Sequence, residues 1–505
     1  MYPFPHPVPR ASLPQRSRRR SLLAVLAVLG LGVSACGTDT SAGGSSTVVV
    51  NVGYQSKTIN TVTAGTLLRD RGTFERKLNA IGKAKGIHYK VVWQDFPSGP
   101  PLTAQMIAGK VDIGSMGDYP VLVNGSKTAE FPDARSELVA VTGYNLRGSL
   151  NQVVVPKDSP AQKLSDLRGK VVSTSVGSAA HGMLVNALRK NGLSPDDVKL
   201  LNQEPAVGAS ALEGEQVAAL SQFVPWPQLM VFRKQGRLLY DGGSNGVPTF
   251  HAVVSRKAYA ENHPEVMRAF LESVRDTANY LNKNPLAAAE RVAKVTGIEP
   301  EVVYLYNGPS GLVTFDPTIK PELVAALSKD LPFLKDLGSV KNLDLDKFVN
   351  DSYLRKIYGA SYDAAGKSTT SPSRLSGQDP VCHEPVKDPR TASEVWFSGQ
   401  NSTGVAATPT CLLRRIAARD GDVRAAYVPD AKHGTRMFAS AATWVLDPAG
   451  PRTPGCCRSR WPPTRIPIWQ TTPTPAGSAT RRRLRPLPEP AALAGPAPRH
   501  HPLQS

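Results

Sequence analysis

Cysteine is scarce in this chain of 505 residues: there are five, and none falls between Cys36 and Cys382. The stretch 47–358 therefore offers no thiol nucleophile, no thiolate metal site and no disulfide. Its only histidines are His88, His181, His251 and His263, scattered along the chain. The patterns HExxH and GxxxxGK[ST] are absent, so zincin and P-loop chemistry have no footing. No enzyme activity and no cofactor are expected. Long apolar runs are missing as well. The one near the start, "SLLAVLAVLGLGV", is too short to span a bilayer comfortably.

Acid is lacking at both ends, and this accounts for most of the formal net charge of +19. The first twenty residues carry Arg10, Arg16, Arg18, Arg19 and Arg20 with no acid; the apolar run then ends in Ser34-Ala35-Cys36. A basic start, a short apolar stretch and small residues mark 1–35 as a secretory signal. "VSAC" resembles the lipobox of bacterial lipoproteins, which implies acylation of Cys36 and a lipid anchor at the outer face of the cytoplasmic membrane. A plain signal followed by an incidental cysteine is the other reading. Residues 36–46 then form a flexible tether. From Pro448 to Ser505 there are nine arginines, no lysine, one acid (Glu489) and fourteen prolines. Such a tail is expected to be disordered. It reads as GC-rich coding sequence out of frame, with a polycationic tail as the alternative. Because the excess charge sits in these two segments, nucleic acid is not an expected partner.

Between the ends, residues 47 to about 358 alternate strand and helix. "TVVVNVGYQ", "HYKVVWQDF", "KVDIG", "LNQVVVPKDSP", "GKVVSTSVGS", "DDVKLLNQEP" and "QVAALSQFV" read as strands, with helical patterns between them. The class is α/β, and the alternation predicts parallel sheets covered by helices. Roughly 310 residues exceed what one core usually serves, so two lobes are expected.

The order "VGYQ", "FPSGP", "VDIGSMGDYP", "VPKDSPAQKLSDLRGKVVSTSVGSAAHGMLVNALRKNGL" and "FVPWPQ" resembles the sulfonate/nitrate/taurine group of solute-binding proteins of ABC importers. The resemblance implies the two-lobed type II periplasmic-binding-protein fold. Lobe I is placed at 47–143 and 252–358, lobe II at 152–247, with crossovers near "GYNLRGSL" and "GGSNGVPTF". It also implies a monomer that captures a small anionic solute and delivers it to an ABC permease. One position departs from the group: Val224 stands where an acid often precedes the proline.

In open α/β sheets a ligand sits beyond the carboxyl ends of the strands. Helix N-termini there offer unpaired N–H groups and partial positive charge to an anion. Three small-residue loops suit that role: "GYQSKT", "GSMGDY" and "VGSAAHG". The ligand-binding candidates are Tyr54 and Gln55 from the first, Ser115, Met116 and Gly117 from the second, and Gly177, Ser178, Ala179, Ala180 and His181 from the third. Phe223 and Trp226 are candidates for an apolar wall. Ser115 equally suits a helix cap, and His181, Phe223 and Trp226 equally suit packing. Asp118 is expected to cap a helix or hold a neighbouring loop. Arg147, beside the first crossover, either favours an anion or faces water.

A polar linker (359–377) leads to a small α+β unit at 378–447. "DPVC" resembles the start of YHS metal-binding domains, and "CLLRR…AAYVPD…GTRMFASAATWV" is similar to the copper accessory protein NosL. Cys382 and Cys411 admit a disulfide, a soft-metal site with His383, or free thiols. The alternative function is thus a metal-handling lipoprotein acting through this unit.

Overall fold

The structure, a computed structural model, describes residues 46–419 and 421–445. The secretory signal, acylation at Cys36, nearly all of the tether and the tail from Pro448 with Cys456 and Cys457 lie outside the described residues. No helix among the described residues is long and apolar enough to cross a membrane.

The strands are β1 (Ser46–Tyr54), β2 (Ile87–Asp95), β3 (Ile113–Gly117), β4 (Ser136–Asn145), β5 (Asn151–Pro156), β6 (Val171–Thr174), β7 (Lys199–Asn202), β8 (Ala219–Phe223), β9 (Gly236–Asp241) and β10 (Thr249–Arg256). They make two five-stranded sheets, ordered β2-β1-β3-β10-β4 and β7-β6-β8-β5-β9. The first sheet belongs to lobe I and the second to lobe II. β1 pairs with β2 and β3 in parallel, and β6 with β7 and β8.

The sheets are mixed rather than purely parallel. β10 runs antiparallel to β3 and β4, and β5 antiparallel to β8 and β9. The cause is the crossing of the chain between lobes. β5 and β10 each begin at a crossover, beside the ends at which the parallel strands finish, and so must run the other way.

The two crossovers touch at glycine. A Cβ built on Gly148 (φ +100°) would lie 2.5 Å from Val247 O and 3.1 Å from Gly242 O. Only a residue without a side chain admits that approach and that backbone conformation.

The chain then returns to lobe I as helices. Pro264–Lys283, Pro285–Thr296, Pro300–Asn307 and Pro321–Asp336 each open on a proline, whose missing N–H is no loss in the first turn. The apolar face of Pro264–Lys283 buries Val266, Met267, Phe270, Leu271 and Val274. They join Val50, Val52, Leu102, Ile113 and Val253 in the lobe I core, while Val153, Val155, Leu184 and Leu188 anchor a core in lobe II.

Six further short strands follow: β11 (Gly377–Gln378), β12 (Pro385–Val386), β13 (Ser393–Phe397), β14 (Gly404–Ala406), β15 (Val423–Pro429) and β16 (Arg436–Phe438). The last four form an antiparallel sheet ordered β14-β13-β15-β16. Helix Pro409–Ala417 packs on it, and its N-terminus is capped by Thr408, whose Oγ1 accepts from the Cys411 N–H at 3.1 Å. Cys382 and Cys411 are joined in a disulfide. The soft-metal reading of this pair is therefore corrected. Both sulfurs are spent on each other, the carboxylate beside them, Asp379, accepts from the backbone N–H groups of Val381, Cys382 and Ala407, and His383 is exposed.

Candidate functional site

The site forms where strands of both sheets end. Gln55 follows β1 and is buried; its Nε2 donates to Ser115 O at 3.1 Å, and its Oε1 accepts from Thr58 Oγ1 at 3.3 Å. Ser115, Met116 and Gly117 lie within β3, not in the loop after it, because the ladder with β10 runs through to the pair Gly117–His251. The next helix starts at Asp118. The Ser115 hydroxyl is buried and has no hydrogen-bond partner among the described residues.

Two candidates make contacts within lobe I. The Tyr54 hydroxyl accepts from Arg69 Nη1, and the Tyr54 ring meets Trp93 edge-on at 5.6 Å. Met116 belongs to the lobe I core, with Thr103 Oγ1 3.8 Å from its sulfur. Asp118 holds both its own helix start and the opposing strand, accepting from Tyr119 N–H at 2.8 Å and from Phe250 N–H at 3.3 Å. Burial raises its pKa to about 6.

In lobe II, Ser178 caps helix Ala179–Lys190 and accepts from the His181 N–H at 3.3 Å. The Gly177 N–H donates to His181 Nδ1 at 3.3 Å. These loop groups satisfy one another, which leaves the first-turn amides of Ala179 and Ala180 as the helix's free donors. Burial lowers the His181 pKa, in keeping with a neutral ring whose Nδ1 accepts. Phe223 is buried at the end of β8. Trp226 opens the following helix, with Lys57 Nζ 6.0 Å from its ring centroid.

The lobes touch along a seam. A Cβ built on Gly117 would lie 3.5 Å from Ala179 Cβ, and one on Gly177 3.6 Å from Pro100 Cγ. Ser98 Oγ donates to Glu204 Oε1 at 3.3 Å, and the Arg189 guanidinium sits 5.1 Å from the Phe333 ring centroid. At the mouth of the seam lies a cleft of about 260 Å³ whose lining includes Ser56, Lys57, Asp95, Phe96, Glu204 and Trp226.

Of the residues predicted from sequence, only Trp226 lines that cleft. Gln55, Ser115, Gly117, Gly177, Ser178, Ala179, Ala180, His181 and Phe223 sit away from its lining. Lys57, Asp95 and Glu204 were missed. Their signal was present, because each falls just after, or closes, a strand whose end the fold turns toward the ligand side. Arg147 is exposed, and its Nη2 donates to His433 Nδ1 at 2.9 Å. His251, behind Gly117, lies 2.5 Å from Asn60 Nδ2 through its Nδ1. Burial drives its pKa down to about 3, so the ring is neutral.

The cleft sets one ammonium and two carboxylates beside an indole ring, which suits a small polar molecule.

Residues 97–288 match the NMT1/THI5 like family model.

The chain is 27% identical over 322 residues to the taurine-binding periplasmic protein of Escherichia coli (strain K12), covering 60% of this chain and 95% of that protein. It is 23% identical over 340 residues to a putative aliphatic sulfonates-binding protein of Bacillus subtilis (strain 168), covering 67% and 96%. Among solved structures, the alkanesulfonate-binding protein of Xanthomonas axonopodis pv. citri bound to MOPS aligns with a TM-score of 0.51 at 22% identity, covering 61% of this chain and all of that one. That likeness is one of fold. The resemblance carried by "FPSGP…VDIGSMGD" and "GSAAHGMLVNALRKNGL" to the sulfonate/nitrate/taurine group is borne out, and so is the two-lobed type II fold.

Proposed function

We propose that this protein is the exported solute-binding component of an ABC importer for small sulfonates, held at the membrane through Cys36, working as a monomer and delivering its solute to a permease. The observation that carries the reading is the pairing of a two-lobed cleft with 95% coverage of a taurine-binding relative. The taurine- and sulfonate-binding relatives are named as binding proteins, which supports a role without catalysis.

The cleft's charges narrow the choice. Lys57 suits a sulfonate, while Asp95 and Glu204 suit an ammonium group. A zwitterionic aminosulfonate such as taurine meets both; nitrate meets only one. Closure is a population shift toward the form in which both lobes contact the solute.

The test is a thermal-unfolding series of the mature chain with taurine, an alkanesulfonate and nitrate. A ligand at a hundredfold excess over its Kd adds about 2.7 kcal/mol to stability. Taurine is expected to give the largest shift. No shift with any sulfonate would remove the solute reading.

A further inference from the structure

The function proposed above leaves the C-terminal unit unexplained. Its position is specific: it sits on the two crossovers. The β15–β16 hairpin loop presents His433 and Thr435. His433 Nδ1 accepts from Arg147 Nη2 of the first crossover at 2.9 Å, and its Nε2 lies 3.2 Å from Ser244 Oγ of the second. Thr435 Oγ1 donates to Asp241 Oδ2 at 2.6 Å and lies 3.2 Å from Ser149 Oγ. One short loop thus bonds both connections between the lobes.

The loop that makes these bonds is internally tied. Asp430 accepts from the N–H groups of Lys432 and His433 with Oδ1 and from Thr435 with Oδ2, and its own N–H donates to Thr435 O at 2.9 Å. The unit behind it is anchored elsewhere. Tyr427 Oη donates to Glu301 O at 3.0 Å, Tyr304 Oη donates to Glu394 Oε1 at 2.8 Å, and Arg424 pairs with Glu301. Glu301 and Tyr304 lie on helix Pro300–Asn307, and the segment just after it is bridged to lobe I through Thr314 and Tyr144. Toward lobe II, the Thr435 bond to Asp241 at the end of β9 is joined by a tilted ring pair, Phe438 with Phe232 at 5.1 Å.

We infer that the C-terminal unit is a latch on the hinge that favours the closed arrangement of the lobes. The unit is braced by its sheet and by the Cys382–Cys411 disulfide. It cannot follow two lobes that rotate apart, so opening must sever one set of its contacts. The anchor on Pro300–Asn307 is buried and extensive. The set at His433, Thr435 and Phe438 is smaller, and it is the set that opening breaks. Each bond made only in the closed form shifts the equilibrium by its own free energy. The inference depends on the lobes moving as binding-protein lobes do, and not on which solute they take.

The test is hydrogen–deuterium exchange of the full chain with no solute added, which separates its outcome from that of the solute reading. Amides of 117–119 in lobe I and 177–182 in lobe II meet across the seam and report opening. The double variant His433→Ala/Thr435→Ala is expected to speed their exchange by about threefold or more, with protection in β13 unchanged. Arg147→Ala/Ser244→Ala cuts the His433 bonds from the other side and leaves the unit's own sequence intact; it is expected to act in the same direction. Unchanged exchange at the seam in both variants would overturn the latch.

Discussion

The Tyr119 ring of lobe I occupies the space that a side chain on Gly182 of lobe II would need: a Cβ built there falls inside the contact distance of Cε1, Cζ and Cδ1. Gly182 lies in the second turn of helix Ala179–Lys190. Alanine there improves helix propensity by about 1 kcal/mol yet keeps the lobes from meeting. Gly182→Ala is therefore expected to leave thermal stability equal or higher while weakening sulfonate binding at least about tenfold, because the competent closed form becomes rare. Calorimetric titration with taurine beside a melting curve reads both. Unweakened binding would mean that the seam does not set affinity.

Tyr119 Oη also donates to Asp330 Oδ1 at 3.3 Å, and Asp330 Oδ2 has no partner among the described residues. Burial, followed by the nearby Asp118 charge, raises the Asp330 pKa to about 8. The folded state thus holds a proton that the unfolded chain releases near pH 4. That stabilisation is complete below the unfolded value and is lost as pH rises through the folded one. Asp330→Asn mimics the protonated acid and should flatten the decline. Unfolding free energies from urea titrations at pH 5 and pH 8 are expected to differ less in the variant, by an amount above about 1 kcal/mol. Equal pH dependence in both proteins would show that Asp330 is not the titrating group.

The disulfide closes a loop with a sequence separation of 29. In the chain-entropy model such a loop contributes about 3–4 kcal/mol. Cys382→Ser/Cys411→Ser is expected to lower the unfolding free energy of the C-terminal unit by about that amount, followed by exchange protection in β13 and β15. A chelator should leave the same protection unchanged. Loss of protection on chelation would restore a metal to this unit.

Much of the strand and helix order was legible because buried β-branched runs such as "TVVVNV" and proline-opened helices announce themselves locally. The disulfide was legible as one option, since an exported chain meets an oxidising compartment where two cysteines pair readily. What sequence did not disclose depends on partners distant in the chain. "GSMG" reads as a loop from its composition, but pairing with β10 draws Ser115 to Gly117 into the sheet. Tyr54 sits on the expected loop's edge, yet Arg69 and Trp93 claim its hydroxyl and ring. The exposed cleft residues Lys57, Asp95 and Glu204 come from three separate strand ends: the pairing of β1 with β2 sets Lys57 near Asp95, and the approach of the lobes adds Glu204. Arg147 points to a hairpin 286 positions away, a separation that no local pattern encodes.

The place of β10 orders the birth of the molecule. It lies between β3 and β4, and it is the one strand of the sheet to which β4 is bonded. A nascent chain that has reached residue 248 can have all of lobe II's strands, but its first sheet still has a gap where β10 belongs. Lobe I stays unfinished until its neighbour has been made, and its exposed edges wait on a segment delivered last.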